Sequence, residues 1–425
     1  MKRTDVVMIG LALGAVLGCA RERVVGPPLE PKPDYARPLA AGSEALRLIT
    51  DPARMPDLAA AYRNSDALLA EAVDLSLSWF AAPSSRQFFP TQGITHRQAQ
   101  ASLMAMGDLL ADRHGEEAFV ADVRRLFDIY ESVGYDGWGT VLFTGYFSPV
   151  FRASRTPTGP FVHPLYKRPG NLATEPVTGE PLGRRLADGS IVPYFTRQRI
   201  EESRMFAGNE LVWLDDPLSV YIVHVNGSAK LRLTGPGESG FMFVGYAGKT
   251  DRPYTGLGQL IVEQGLLRRD QLSLPAIKRI YRRDPKLVMD LIYGNENYVF
   301  FTQYQGDSWP AGSLGVRVTP ERTLATDKKI YPRGGLVLVD TKALTFSEGQ
   351  REFLQFMLDQ DTGGAIQAPG RADIFMGIGK SAEILAGGQY AEGRLYYFFL
   401  KPQYVDEYLP PRVGEAPRNP TNVRF

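Results

Sequence analysis

Along this chain the spacing of apolar positions changes character repeatedly. From about residue 44 to 130 they recur at helical intervals. Thr95 to Gln98 reads as a capping box, and Leu103, Met106, Leu109 and Leu110 follow on one face. The same stripe continues over 118–127. After Gly139, β-branched and aromatic residues take over, and 140–147 reads as a strand. Residues 169–193 are crowded with Gly and Pro, which predicts loop. A short helix is expected over about 196–206 and a strand over 219–225. Asn226-Gly227 forms a hairpin signal after that strand, because both residues tolerate positive φ. Further strands are expected over 230–233 and 241–246, and helices over about 257–265 and within 274–293. Past Tyr298 the pattern is strand and turn, with 393–400 a buried strand. The chain therefore reads as mainly β with helices, an α+β protein without internal repeats.

The first residues do not belong to that fold. Lys2 and Arg3 precede an apolar run from Val6 to Gly18 that ends at Cys19, the sole cysteine. A run this short does not comfortably cross a bilayer, which takes about 20 apolar residues, but it fits the apolar region of a secretory signal. Val16-Leu17-Gly18-Cys19 resembles a bacterial lipobox, so residues 1–19 are expected to be a lipoprotein signal peptide with Cys19 as the lipidated residue. An uncleaved anchor helix is the alternative. Ala20, where an inner-membrane lipoprotein would carry Asp, implies by the same resemblance a periplasmic protein lipid-anchored to the outer membrane. Residues 20–43, rich in Pro, form a tether.

Composition narrows the functional classes. The 425 residues suggest two domains. Lys plus Arg (48) nearly balances Asp plus Glu (47), so no broad positive surface argues for nucleic acid. One Cys allows no intramolecular disulfide. The four His residues show no metal-ligand spacing and read as structural or surface residues; neither a metal nor a cofactor is expected, with a metal site built from Asp and Glu alone as the alternative. Three look-alike motifs carry little. Ala247-Gly-Lys249-Thr250 copies the end of a Walker loop, but Phe243 stands where its first Gly belongs. Gly377-Ile-Gly379-Lys-Ser-Ala382 copies a dinucleotide fingerprint without a βαβ pattern around it and reads as a turn between barrel strands. Ser308 has neither elbow glycines nor a following His.

The chemistry gathers in three acidic segments: Asp327 in Arg322 to Gly334, Asp361 before Thr-Gly-Gly-Ala-Ile366, and Asp373 in Arg371-Ala-Asp-Ile-Phe-Met-Gly377. Isolated aspartates usually hold turns and caps, and that reading competes for all three. Together, however, they resemble the three-aspartate barrel domain of the membrane-bound lytic murein transglycosylase A family. Phe143 to Pro149, His163 to Pro169, Val225 to Ser228, Tyr246 to Lys249 and Asn297 to Phe301 resemble other family segments in order and spacing, over roughly residues 135–400. The resemblance implies a double-psi β-barrel from residues 44–149 and 265–405, a smaller inserted β-domain over 150–264, a glycan groove between them, and a tail over 406–425.

It also implies a lyase acting on peptidoglycan strands. A lytic transglycosylase uses no water, because the C6 hydroxyl of N-acetylmuramic acid attacks its own C1. One carboxyl group can then serve as acid and afterwards as base, whereas a hydrolase needs two. Asp373, followed by Ile374, Phe375 and Met376, is expected in partly apolar surroundings that raise its pKa. By resemblance it is the catalytic group, with Asp361 and Asp327 completing the set by holding turns and orienting the site. Thr144, Asn226 (where the family carries Gln), Lys249, Tyr254 and Gln259 are expected substrate contacts. Trp309, with Trp138 and Trp213, is a candidate for stacking on sugar rings. Expected partners are the glycan strand, the outer membrane through the lipid, and cell-wall synthesis or scaffold proteins. Two other readings stand beside this one: a non-catalytic wall-binding lipoprotein, and a hydrolase of the same barrel type using Asp359 or Asp307 as second carboxylate.

Overall fold

The computed structural model describes residues 33–409, apart from 113, 114 and 348 and the side chain of residue 270. The signal peptide with Cys19, most of the tether, His114 and the tail beyond 409 lie outside the described residues.

A short strand, β1 (Leu46–Leu48), leads into four helices: α1 (Leu58–Arg63), α2 (Ala67–Ala81), α3 (His96–Ala111) and α4 (Glu116–Leu126). The expected capping box is only half formed. Thr95 Oγ1 accepts from the Gln98 amide N–H at 3.1 Å, but the Gln98 side chain donates to the Leu400 carbonyl at 2.8 Å. The apolar stripe ends in β2 (Phe127–Ser132), so the region read as helical to 130 turns to strand slightly earlier. Then come β3 (Val141–Ser148), β4 (Val150–Ser154), β5 (His163–Tyr166), β6 (Leu172–Thr174), β7 (Pro181–Arg185) and β8 (Ile191–Val192). The stretch expected to be loop thus holds a small antiparallel sheet, β6-β7-β8.

Next are α5 (Arg197–Ser203), β9 (Glu210–Leu214) and α6 (Pro217–Asn226). The strand expected over 219–225 is this helix. Asp216 caps it by accepting from the Ser219 N–H at 2.8 Å, and Pro217 opens its first turn. Its run of apolar residues has no clear period because the helix is buried all round. Leu218, Tyr221 and Ile222 pack into the larger core, whereas Val220 and Val223 pack into the core of the second sheet. Gly227 does adopt positive φ, +69°, but as the left-handed cap of α6 and not in a hairpin.

The chain continues through β10 (Ser228–Leu233), β11 (Phe241–Lys249), α7 (Leu257–Glu263), α8 (Leu274–Arg283), α9 (Pro285–Tyr293) and β12 (Val299–Tyr304). It ends with β13 (Thr323–Ala325), β14 (Leu336–Thr345), β15 (Gly349–Asp361), β16 (Arg371–Ile378), α10 (Gly379–Gly388), β17 (Tyr390–Leu400) and α11 (Val405–Tyr408). The look-alike fingerprint at 377–382 is not a strand-to-strand turn. Gly377 and Gly379, at φ +108° and +84°, swing the chain out of β16 into α10.

Six strands close a barrel in the order β3-β17-β14-β15-β13-β16 and back to β3. The β15–β13 and β16–β3 pairs are parallel and the others antiparallel. The barrel agrees with the α+β fold expected from the sequence. A second sheet, β12-β11-β10-β4-β9-β5, lies between β3 and β13 in the chain. Its last strand, β12, comes from beyond residue 264, where the insertion was expected to end. That boundary fell at α7 because helices α7 to α9 interrupt the strand pattern before the chain returns to the sheet.

Candidate active site

The barrel register sets the site. Thr144 on β3 is opposite Asp373 on β16, Asp373 is opposite Ala325 on β13, and Ala325 is opposite Asp361 on β15. Two acids and a hydroxyl from distant parts of the sequence thus share one row across four adjacent strands. Side chains two apart on a strand share a face, so Arg371 accompanies Asp373 and Tyr146 accompanies Thr144.

Asp373 is half-buried. The Thr144 hydroxyl donates to its Oδ1, and Arg371 donates to the Thr144 Oγ1 at 3.1 Å. Burial pushes the Asp373 carboxyl above its usual range, against the pull of the Arg371 charge and the Thr144 hydrogen bond; nearby Asp361 pushes it further up. Asp361 is differently held. Tyr146 donates to its Oδ2 at 2.8 Å, and the N–H groups of Ser313 and Thr362 both donate to its Oδ1 at 2.8 Å. Burial raises its pKa as well, opposed by these donors and by Lys328. Asp327 lies apart in a turn, accepting from the N–H groups of Lys329 at 3.0 Å and Ala368 at 2.9 Å. Such bonds suit a turn aspartate.

A cleft of about 260 Å³ opens on the Gly145 and Phe147 side of β3, the opposite face of the strand from Thr144 and Tyr146. Leu218, Tyr221, Ile222, Val225 and Asn226 of α6, Tyr254, the start of α7, α8 and Glu383 of α10 complete its lining. Gly145 is required there: a Cβ would stand 2.8 Å from the Ala386 Cα of α10. Tyr254 is close enough to Asp373 and Arg371 for both charges to act on its hydroxyl. Asn226 lines the cleft, with its amide donating to the Ile222 carbonyl at 2.8 Å. Lys249 reaches the loop after Asp361, where its Nζ would lie 3.6 Å from a Cβ at Gly364. Burial lowers its pKa, opposed by Glu180.

Two expected contacts are not brought to this place. Trp309 is core, 4 % exposed, with its indole N–H donating to the Val244 carbonyl at 2.9 Å and its ring against Phe243. Gln259 is exposed on α7 and donates to Glu263 at 2.8 Å. Neither candidate second carboxylate is available: Asp359 is buried in an ion pair with Lys328, and Asp307 is exposed in a turn at 306–308. Tyr146 and Arg371 received no role from the sequence, although alternation along β3 and β16 carried the signal. Among the described residues no His, Cys, Asp or Glu cluster is placed to hold a metal ion.

Residues 142–302 match the family described as the MltA specific insert domain, and residues 322–399 match the 3D domain. The membrane-bound lytic murein transglycosylase A of Vibrio cholerae serotype O1 is 29 % identical over 285 residues, covering 65 % of this chain and 71 % of that protein. The protein of the same name from Escherichia coli strain K12 is 29 % identical over 279 residues, covering 65 % and 70 %. The chain belongs to the membrane-bound lytic murein transglycosylase A family. Solved structures of the family share its fold. A membrane-bound lytic murein transglycosylase from Agrobacterium tumefaciens superposes with a TM-score of 0.65 at 24 % identity, covering 82 % of this chain and 98 % of that one. The E. coli MltA with bound chitohexaose gives 0.64 at 22 %, covering 87 % and 97 %. Among the described residues no helix is long and apolar enough to cross a membrane.

Proposed function

We propose that this protein is a peptidoglycan lytic transglycosylase in which Asp373 is the only acid–base group. The supporting observation is a carboxyl whose burial favours its protonated form, flanked by a hydroxyl donor and within electrostatic reach of Tyr254, which lines the cleft. Neutral Asp373 donates its proton to the oxygen linking C1 of N-acetylmuramic acid to the next sugar, and the C1–O bond breaks. The departing sugar leaves with a new hydroxyl. The C6 hydroxyl of the muramic ring then bonds to C1 and gives its proton to the Asp373 carboxylate, which restores the acid. Between the two transfers the Thr144 hydroxyl, itself held by Arg371, stabilises the carboxylate. Asp361 orients the site through its three donors, and Asp327 holds a turn. Thr144, Asn226, Lys249 and Tyr254 contact the glycan. The names of the relatives, and the chitohexaose bound to one of them, support the substrate class. The lipobox-like segment ending at Cys19 supports a periplasmic enzyme tethered by lipid to the outer membrane.

Mass spectrometry of purified peptidoglycan after digestion tests the reaction. We expect muropeptides ending in 1,6-anhydro-N-acetylmuramic acid. Products with reducing ends would make the protein a hydrolase, and no products at all would leave a binding protein.

A further inference from the structure

The chain is nearly neutral overall, yet residues 268–286 carry seven Lys or Arg against two Asp. Most of this charge is on α8. The helix turns Ala276, Ile277 and Ile280 inward, and Leu274 and Ile277 line the same cleft as Tyr254, which feels the Asp373 charge. Lys278 is used internally: its Nζ meets Glu383 of α10 at 2.8 Å and ties α8 to the barrel. Asp284 is used too, capping α9 by accepting from the Leu287 N–H at 2.9 Å, and Lys286 pairs with Asp290 at 2.6 Å. On α8 itself Arg279, Arg282 and Arg283 remain. All three are exposed, and among the described residues none has a carboxylate within ion-pair distance. The exposed arc of a helix that walls the cleft is therefore a local positive field on a neutral protein.

We propose that this arc binds the carboxylates of the peptide stems of peptidoglycan; the inference rests on the transglycosylase reading above. The N-acetylated sugars of the glycan carry no charge, and the lactyl group is amide-linked to the stem. On a strand lying in the cleft the negative charge is then confined to the stems, which project sideways from it. Guanidinium groups suit carboxylates because their donors match both oxygens. The sites are exposed, so each contact is weak and screened by salt. The stems thus add affinity without taking part in bond cleavage. An anionic lipid surface offers the same charge but gives no reason for the arginines to lie on the helix whose other face lines the cleft.

The test is steady-state kinetics of the full chain on two soluble substrates: glycan strands with their stems, and the same strands stripped by an amidase, with the lactyl carboxylates it frees capped as methyl amides so that the stripped strand is uncharged. In R279Q/R282Q/R283Q, KM for stem-bearing strands should rise about tenfold, as expected for three exposed ionic contacts. The kcat should not change, nor should KM for stripped strands. Added salt should erase the wild-type preference. An equal change on both substrates, or no change on either, overturns the proposal. So does a variant that loses only sedimentation with phosphatidylglycerol vesicles and keeps its stem preference. If neither substrate yields anhydro products, the transglycosylase reading fails, and co-sedimentation of D373N with stem-bearing and stripped insoluble strands then decides the stem proposal independently: stronger binding to the former, lost in the added arginine triple, upholds it, and equal binding overturns it.

Discussion

Asp373 on β16 and Asp359 on β15 are both barrel aspartates among apolar neighbours, yet the protein treats them in opposite ways. Asp359 is 0 % exposed and saturated: Lys328 pairs with it, Tyr397 donates to it at 2.8 Å, and the Thr326 hydroxyl lies at 2.8 and 2.9 Å from its two oxygens. Burial also pushes the Lys328 amine down, and the Asp359 charge holds it up. Asp373 has a hydroxyl donor and a cation held one atom further away, and it is only half-buried. A carboxylate supplied with a direct cation and a full set of donors is locked in place and fixes the fold. One that is desolvated and under-supplied is pushed toward its protonated form and can give the proton away. The difference lies in partners and not in burial alone.

The largest effect should come from removing the proton that Asp373 carries. Asp373→Asn should lower the release of anhydro-muropeptides by about 10³-fold or more, within the range expected for a lost general acid. Chromatography of the products, with circular dichroism to confirm the fold, would detect it; turnover within tenfold of wild type would end the acid assignment. The reverse result is expected at the other aspartate. Lys328→Met leaves the Asp359 carboxylate buried with only neutral donors, and should destabilise the protein by about 3–5 kcal/mol. Denaturant unfolding measures this directly. Stability equal to wild type would mean that the ion pair does not hold the barrel. Material that stays folded in the cold should retain most of its turnover.

This contrast was only half legible in the sequence. Asp373 stood out because Ile374, Phe375 and Met376 follow it, and the structure agrees that burial raises its pKa. Asp359 offered no such cue, because its partners Lys328 and Tyr397 come from the turn after β13 and from β17 and meet it only when the barrel closes. The same limit explains α6. A helix wedged between two cores is apolar on every side, so its sequence imitates a buried strand. Trp309 failed for a related reason: an aromatic ring suits a sugar face and a core equally well, and only the Val244 carbonyl within reach of its N–H tells which. By contrast, α3 was readable, because it is amphipathic and packs on one side. So were β3 and β17, whose β-branched and aromatic content marks them in any context.

A smaller effect sharpens the contrast, because a raised pKa carries a stability consequence of fixed sign. Asp373 holds its proton more tightly in the folded chain than in the unfolded one. The stabilisation from that proton is fully present below the unfolded carboxyl value and is lost as pH rises through the folded one. As pH rises through the folded value, the wild-type protein therefore comes to bear the cost of a buried charge that Asp373→Asn does not have. Melting curves of the two proteins between pH 4 and pH 8 should diverge as pH rises. The variant should gain on wild type by roughly 1–2 °C, and the gap should become constant once Asp373 is ionised. Asp361 remains in both proteins, so the gap reports chiefly on residue 373. Turnover by the wild type should fall over the same interval, since the acid is spent where the charge appears. A gap that stays flat, or that moves the other way, would mean that Asp373 is already an ordinary carboxylate in the folded protein, and its difference from Asp359 would then lie in position alone.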